Sequence, residues 1–197
     1  MEKKNPNHPE KGSQIKVDPI TSLKDIANLK KLLEDNPRDL ALFVLGINTN
    51  LRAIDLVQIE AEQFIHAKVG DELVLKEQKT SKGRRISLNG NVLKAVRPWA
   101  IRCQDLEQRY LFTDRNGNHM KANYVNKLVK KWCAKLNLKG NYGSHTLRKT
   151  FGYHQRVTFH EDIPTLMEIF NHSNQRQTLE YLCIQPEEIR DVYMNEL

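Results

Sequence analysis

From Leu40 to Ile47 the chain reads LALFVLGI, without one polar side chain. Pro37 opens this stretch, where a first helical turn tolerates the missing N–H. A helix that is apolar on every side needs cover on every side, so the segment predicts a buried central helix with other elements wrapped around it. Its flanks meet that demand. Thr21 or Ser22 can cap a helix running to about Asn36, with Ile26, Leu29, Leu32 and Leu33 on one face. After a short helix over RAIDLVQI (52–59), the period changes. QFIHAKV and ELVLKEQ read as strands joined across Gly70-Asp71, and RRISL, following the turn-forming TSKG, reads as a third. From Asn91 the period is helical again, broken by the DRNG turn at 114–117. Helices are expected over about 122–137, 145–157 and 164–170, then from Ser173 or Asn174 to about Cys183, and onward from Pro186. The expected architecture is mainly α with a small three-stranded antiparallel β-sheet. Residues 1–17, polar and carrying Pro6, Pro9 and Gly12, read as a flexible leader ahead of one domain over 18–197.

Charge narrows the function. The net charge of +7 is unevenly spread. Residues 76–102 carry +7 and residues 121–156 carry +9, the latter without one Asp or Glu, whereas 18–75 carry −4 and 157–197 carry −6. Two basic blocks in an otherwise acidic chain suggest a surface for a polyanion, because charge kept for solubility alone would be diffuse. Lys127, Lys131 and Lys135 recur every four residues on one face of the helix expected over 122–137. That stripe is either a solvated face or a set of phosphate contacts. No apolar run approaches the roughly 20 residues that span a bilayer. The opening MEKKNPNHPEKGSQ lacks a signal peptide's apolar stretch. Cys103, Cys133 and Cys183 form no CxxC pair and leave an odd count, against both a disulfide framework and a zinc ribbon. A reducing cytoplasm is expected, with no membrane partner.

Several enzyme motifs are absent. There is no GxxxxGK[ST] phosphate loop and no GxSxG elbow, and Pro164 stands where the second histidine of an HExxH site starting at His160 would be. What remains is a constellation of basic residues. In Ser144-His145-Thr146-Leu147-Arg148-Lys149-Thr150-Phe151, His145 and Arg148 are spaced to share a helix face. A guanidinium can hold two non-bridging phosphate oxygens while an imidazole moves a proton near neutral pH, which suits phosphodiester chemistry. Ile169-Phe170-Asn171-His172-Ser173 follows, with Tyr181 nine residues after His172.

Taken together, HTLRKTF, then FNHS about 25 residues later, then Tyr181, resemble the C-terminal half of the tyrosine recombinase (phage integrase) family. Upstream, Gly46 to Leu56, GINTNLRAIDL, is similar to that family's first motif, with an arginine at a helix start and an acid three residues on. Lys79 to Leu88, KTSKGRRISL, is similar to its lysine-bearing β-hairpin. The resemblance covers roughly residues 20–190 and implies a tyrosine recombinase catalytic-domain fold.

It also implies roles. Tyr181 attacks the scissile phosphate, forming a 3′-phosphotyrosyl bond and freeing a 5′-hydroxyl. Arg52 and Arg148 stabilise the pentavalent transition state, and Lys79 protonates the leaving oxygen. His145 assists proton transfer, and His172 donates a hydrogen bond to the phosphate. Asp55 buttresses the arginines. No metal or other cofactor is implied, because the covalent intermediate conserves the bond energy. Lys82, Arg84, Lys127, Lys131 and Lys149 are the candidates for DNA-backbone contacts. The partners implied are duplex DNA and further copies of the chain, as a homo-tetramer on DNA that associates weakly when free, with an accessory DNA-binding protein as a further candidate.

Each residue alone has a plainer reading. Arg52 suits a helix-terminal ion pair, Lys82 competes with Lys79 in the same turn, and a helical tyrosine such as Tyr181 usually serves packing. Lys149 stands where many relatives have histidine, and Asn171 where glycine is common. Typical relatives also carry an N-terminal helical domain that grips the other side of the DNA, which residues 1–17 do not supply. The chain is therefore expected to be a minimal recombinase, a piece of a longer one, or one that relies on a partner. A non-catalytic DNA-binding module, a type IB-like topoisomerase and a small-molecule phosphodiesterase are the rival readings.

Overall fold

The computed structural model describes residues 17–196 apart from Thr80, Ser173, Cys183, residues 185–189 and Asp191. In chain order the elements are α1 (Leu23–Leu32), α2 (Pro37–Asn48), α3 (Ala53–Leu56), α4 (Glu62–Ile65), β1 (Glu72–Lys76), β2 (Gly83–Ser87), α5 (Gly90–Asp105), α6 (Ala122–Lys135), α7 (Ser144–Val157), α8 (Ile163–Phe170) and α9 (Gln175–Leu182). The α2 helix is the central element the sequence demands. Ala41, Leu42, Phe43, Val44 and Leu45 are all buried, and α2 packs against α5, α7, α1 and α3. Gly46 lets α7 approach closely, since a Cβ there would lie 2.6 Å from Leu147 Cδ1. A main core gathers around α2 from the elements before α8, and a smaller cluster of Leu166, Phe170 and Leu182 joins α8 and α9 to α7.

Local chemistry sets the ends. The Ser22 hydroxyl accepts from Asp25 N at 3.1 Å, starting α1, which stops at Leu32, one turn short of the expected Asn36. Asn36 caps α2 through Asp39 N, and Asp162 caps α8 through Thr165 N. Asn171 ends α8 in the left-handed conformation, with φ at 55°. A glycine-preferring turn there tolerates asparagine, which explains the departure noted in the sequence.

The sheet differs from expectation. It has two antiparallel strands, β1 and β2, with Glu72 opposite Ser87 and Lys76 opposite Gly83. QFIHAKV is not the third strand. Its first half lies in the short helix α4, which seats Phe64 fully buried beside α5, while Val69 is 70% exposed. Only Phe64 of the segment is fully buried, while Ile65 and Ala67 pack partly against the core from the end of the helix and the loop after it, so no alternating strand face forms. The β1–β2 connection falls at the expected TSKG turn, closed by Glu77 N to Lys82 O at 2.9 Å and Ser81 N to Glu77 O at 2.8 Å, whereas Gly70-Asp71 joins no pair of strands among the described residues. The expected leader, except for Val17, and the start of the helix expected from Pro186 lie outside the described residues. No helix among the described residues is long and apolar enough to cross a membrane.

Candidate active site

An open cleft of about 620 Å³ runs between the β1–β2 turn, the start of α3, the first residues of α6 and α7, and the α8–α9 corner. Its lining includes Arg52, Lys79, His145, His172 and Tyr181, residues separated by up to 129 positions in sequence. Of the chain's six tyrosines only Tyr181 lines it. Lys79 is on this cleft, whereas Lys82 lies on the far side of the hairpin, donating from Nζ to Asn171 Oδ1 at 3.1 Å.

Arg148 lies beneath the cleft instead of on its wall. It is fully buried, donates from Nη1 to Asn50 O at 2.8 Å and from Nη2 to Phe170 O at 3.1 Å, and leaves Nε unpaired among the described residues. Its guanidinium carbon sits 4.9 Å from the Phe170 ring centre and 5.2 Å from that of Tyr181. Tyr181 thus lies over the arginine with which it is expected to share a phosphate. Burial, then the charge of Arg52, pulls the Arg148 pKa down to about 9, which still leaves it cationic at neutral pH.

The two histidines flank the tyrosine. The ring centres of His145 and His172 are 6.3 Å and 5.3 Å from that of Tyr181. His172 Nδ1 is 3.1 Å from the buried hydroxyl of Thr178. Burial, then Arg148 and Arg52, pushes the His172 pKa down to about 4, so the ring is neutral at pH 7. His145 is held below the ordinary histidine range by partial loss of solvent, then by Arg148, Arg52, Lys149 and Lys79.

Arg52 and the hairpin are fixed by two carboxylates. Glu77, with its side chain fully buried, accepts from Arg52 Nη1 at 2.9 Å through one oxygen and from Arg84 Nη1 at 2.7 Å through the other. Arg84 also donates from Nη2 to Ile169 O at 2.5 Å, on the last turn of α8. Asp55 Oδ1 accepts from Gln78 N at 2.8 Å, and burial raises its carboxyl pKa while that same N–H works against the shift.

The other expected residues separate by geometry. Lys127 and Lys131 are exposed on α6, and Lys149 is half-buried on α7. Arg84, expected to contact the DNA backbone, is turned inwards with its side chain 10% exposed. A buried carboxylate requires cations, and Arg84 is one of the two that Glu77 holds. Glu77 itself was not singled out in the sequence. Its signal was available: it is the one acid among the nine charged residues of 76–102.

The phage integrase family model matches residues 19–188. The chain belongs to that family. Among its relatives within the phage integrases, the probable integrase/recombinase YoeC of Bacillus subtilis (strain 168) is 34% identical over 182 residues, which are 90% of this chain and 95% of YoeC. The tyrosine recombinase XerD of Staphylococcus epidermidis is 24% identical over 184 residues, so this integrase-family chain spans 60% of that relative's length and 91% of its own. Among solved structures, the XerH site-specific recombinase bound to palindromic difH substrate, in its post-cleavage complex, superposes with a TM-score of 0.76 at 16% identity, covering 93% of this chain and 53% of that one. That likeness establishes the tyrosine recombinase catalytic fold.

Proposed function

We propose that this chain is a site-specific DNA recombinase or integrase, working in the cytoplasm, that cuts and rejoins duplex DNA through Tyr181. The observation that carries the reading is the convergence of Arg52, Lys79, His145, His172 and Tyr181 on one cleft, with Arg148 directly beneath it. In the proposed step the Tyr181 oxygen attacks phosphorus while its proton passes to His145. The bond between phosphorus and the 5′-oxygen breaks, and Lys79 gives that oxygen a proton. Arg52 and Arg148 hold the charge that develops on the non-bridging oxygens. For Arg148 to do so, the Tyr181 ring turns off the guanidinium as the phosphate enters. Thr178, by donating its hydroxyl hydrogen to His172 Nδ1, keeps the neutral imidazole's proton on Nε2, where it meets the phosphate. The reverse attack by a 5′-hydroxyl rejoins the strand, with no cofactor consumed.

The proposed DNA contacts outside the cleft are Lys127 and Lys131, on the helix whose first residues line it, with Lys149 on α7 and Lys82 on the far side of the hairpin. Two strand exchanges between two sites call for four copies on DNA, and an accessory DNA-binding protein is a further proposed partner. The test is incubation of a nicked duplex library with wild type and with Tyr181→Phe, followed by a denaturing gel. Protein bound covalently to DNA in wild type alone is expected. Binding by both proteins with no adduct from either would favour a non-catalytic module.

A further inference from the structure

Glu77 occupies a place that the reaction steps above leave unused. Its backbone closes the turn that carries Lys79, through Glu77 N to Lys82 O and Ser81 N to Glu77 O. Its side chain, 0% exposed, pairs with Arg52 at 2.9 Å and Arg84 at 2.7 Å. Arg84 in turn donates to the carbonyl of Ile169, three residues before His172. One carboxylate therefore joins three parts of the cleft: the Lys79 turn, the Arg52 guanidinium and the end of the helix that delivers His172. Neither guanidinium in this cluster is held by a second carboxylate in an ion pair among the described residues. Asp55, the acid that follows Arg52 in sequence, spends Oδ1 on Gln78 N, while its Oδ2 has no partner among the described residues.

We propose that Glu77, acting with Arg84, is the positioning residue that aims Arg52 at the scissile phosphate and keeps the Lys79 turn in register with it. This rests on the strand-transfer reading of the same cleft. An arginine with four side-chain torsions and no anchor samples many directions, and the guanidinium plane has to meet two phosphate oxygens at once. Glu77 takes one hydrogen bond from Nη1 of that plane and leaves the other donors for the phosphate. If neutralising the local charge were its whole role, its removal would strengthen the cleft's attraction for DNA. A positioning role separates binding from chemistry: DNA still binds and cleavage falls.

The test uses wild type, Glu77→Gln, Glu77→Asp and Arg84→Lys, each measured for thermal melting, duplex affinity and single-turnover cleavage of a nicked duplex. Glu77→Gln keeps the shape and loses the charge. Glu77→Asp keeps the charge, so the arginines stay compensated, but it is one methylene too short to reach both. For both Glu77 variants the expected result is cleavage slowed by about 10- to 100-fold per folded molecule, the scale on which angstrom-level misplacement acts, with duplex affinity unchanged or tighter. Arg84→Lys, which cannot hold Glu77 and the Ile169 carbonyl together in the same way, slows cleavage in the same direction. If Glu77→Asp cleaves as fast as wild type per folded molecule, the proposal is overturned, whether or not Glu77→Gln folds.

A second readout needs no cleavage. Inorganic phosphate is titrated while the guanidinium NMR signals of Arg52 and Arg148 are followed. Both signals move along one binding curve in wild type, and in Glu77→Asp the Arg52 signal drops out of it. Movement of both signals along one curve in the variant counts against the proposal. Absence of a Tyr181-dependent adduct from wild type, with the phosphate result as expected, overturns the strand-transfer reading and leaves the positioning of Arg52 by Glu77 standing.

Discussion

Gly152 lies one turn beyond Arg148 on α7 and is buried against the α8–α9 corner. A Cβ built there would stand 2.7 Å from Phe170 Cζ, 3.3 Å from Phe170 Cε2 and 3.5 Å from Leu182 Cδ2. In Gly152→Ala the Phe170 ring must retreat by about 0.7 Å to regain ordinary contact at 3.4 Å, in a core packed too densely to absorb that freely. Alanine gains roughly 1 kcal/mol of helix propensity over glycine, while overpacking of this kind costs roughly 1–3 kcal/mol. The net expectation is a loss of about 0–2 kcal/mol, small enough for the variant to fold. The larger effect falls on the cleft. The same ring lies 4.9 Å from the Arg148 guanidinium carbon and 5.4 Å from the Tyr181 ring centre, and the Phe170 carbonyl accepts from Arg148 Nη2. Displacing that ring is expected to slow single-turnover cleavage by about tenfold, a fraction of the loss that a full ångström can cause. Urea melts give the stability term and a nicked duplex gives the rate. A Gly152→Ala protein that is about 1 kcal/mol more stable than wild type and cleaves at the wild-type rate would mean that Phe170 does not hold Arg148 and Tyr181 in place.

Acid should destabilise the fold through His172. Its folded pKa of about 4 lies below the ordinary 6.5, so its contribution is complete above pH 6.5 and is lost as pH falls towards 4, where the unfolded chain binds the extra proton. Urea melts of wild type and His172→Gln should therefore converge as pH falls across that window, and parallel curves would place the acid sensitivity elsewhere. On α6, Lys127→Ala and Lys131→Ala should each lower the steepness of the salt dependence of duplex binding by about 1 in log–log slope. An unchanged slope would return that stripe to a solvated face.

Much of this was legible in the sequence because the signals were local and repeated. The apolar run of α2, the Ser22 cap and the 3.6-residue period of α6 each specify an element without reference to the rest of the chain. The cleft residues were legible as motifs, and of the two lysines in the same turn Lys79, which the resemblance favours, lines the cleft while Lys82 lies on the other side of the hairpin. Three features depended on distant partners. QFIHAKV was misread because its one decisive fact is that Phe64 fits a hole beside α5, and that hole belongs to other segments. The depth of Arg148 follows from the carbonyls of Asn50 and Phe170, 98 positions before it and 22 after it. Glu77 sits in a basic stretch that draws the eye to its cations, although a single acid among so many bases is itself the mark of a buried counter-charge.

The phosphotyrosyl bond itself remains to be read from the DNA and the protein together. The adduct trapped on a nicked duplex is digested, the modified peptide is sequenced by mass spectrometry, and the freed DNA end is tested for labelling by polynucleotide kinase. DNA joined through a 3′-phosphate to the peptide containing Tyr181, with a free 5′-hydroxyl that accepts label, is the expected result. Attachment at another tyrosine, or a protein-linked 5′ end, would contradict the assignment of this cleft.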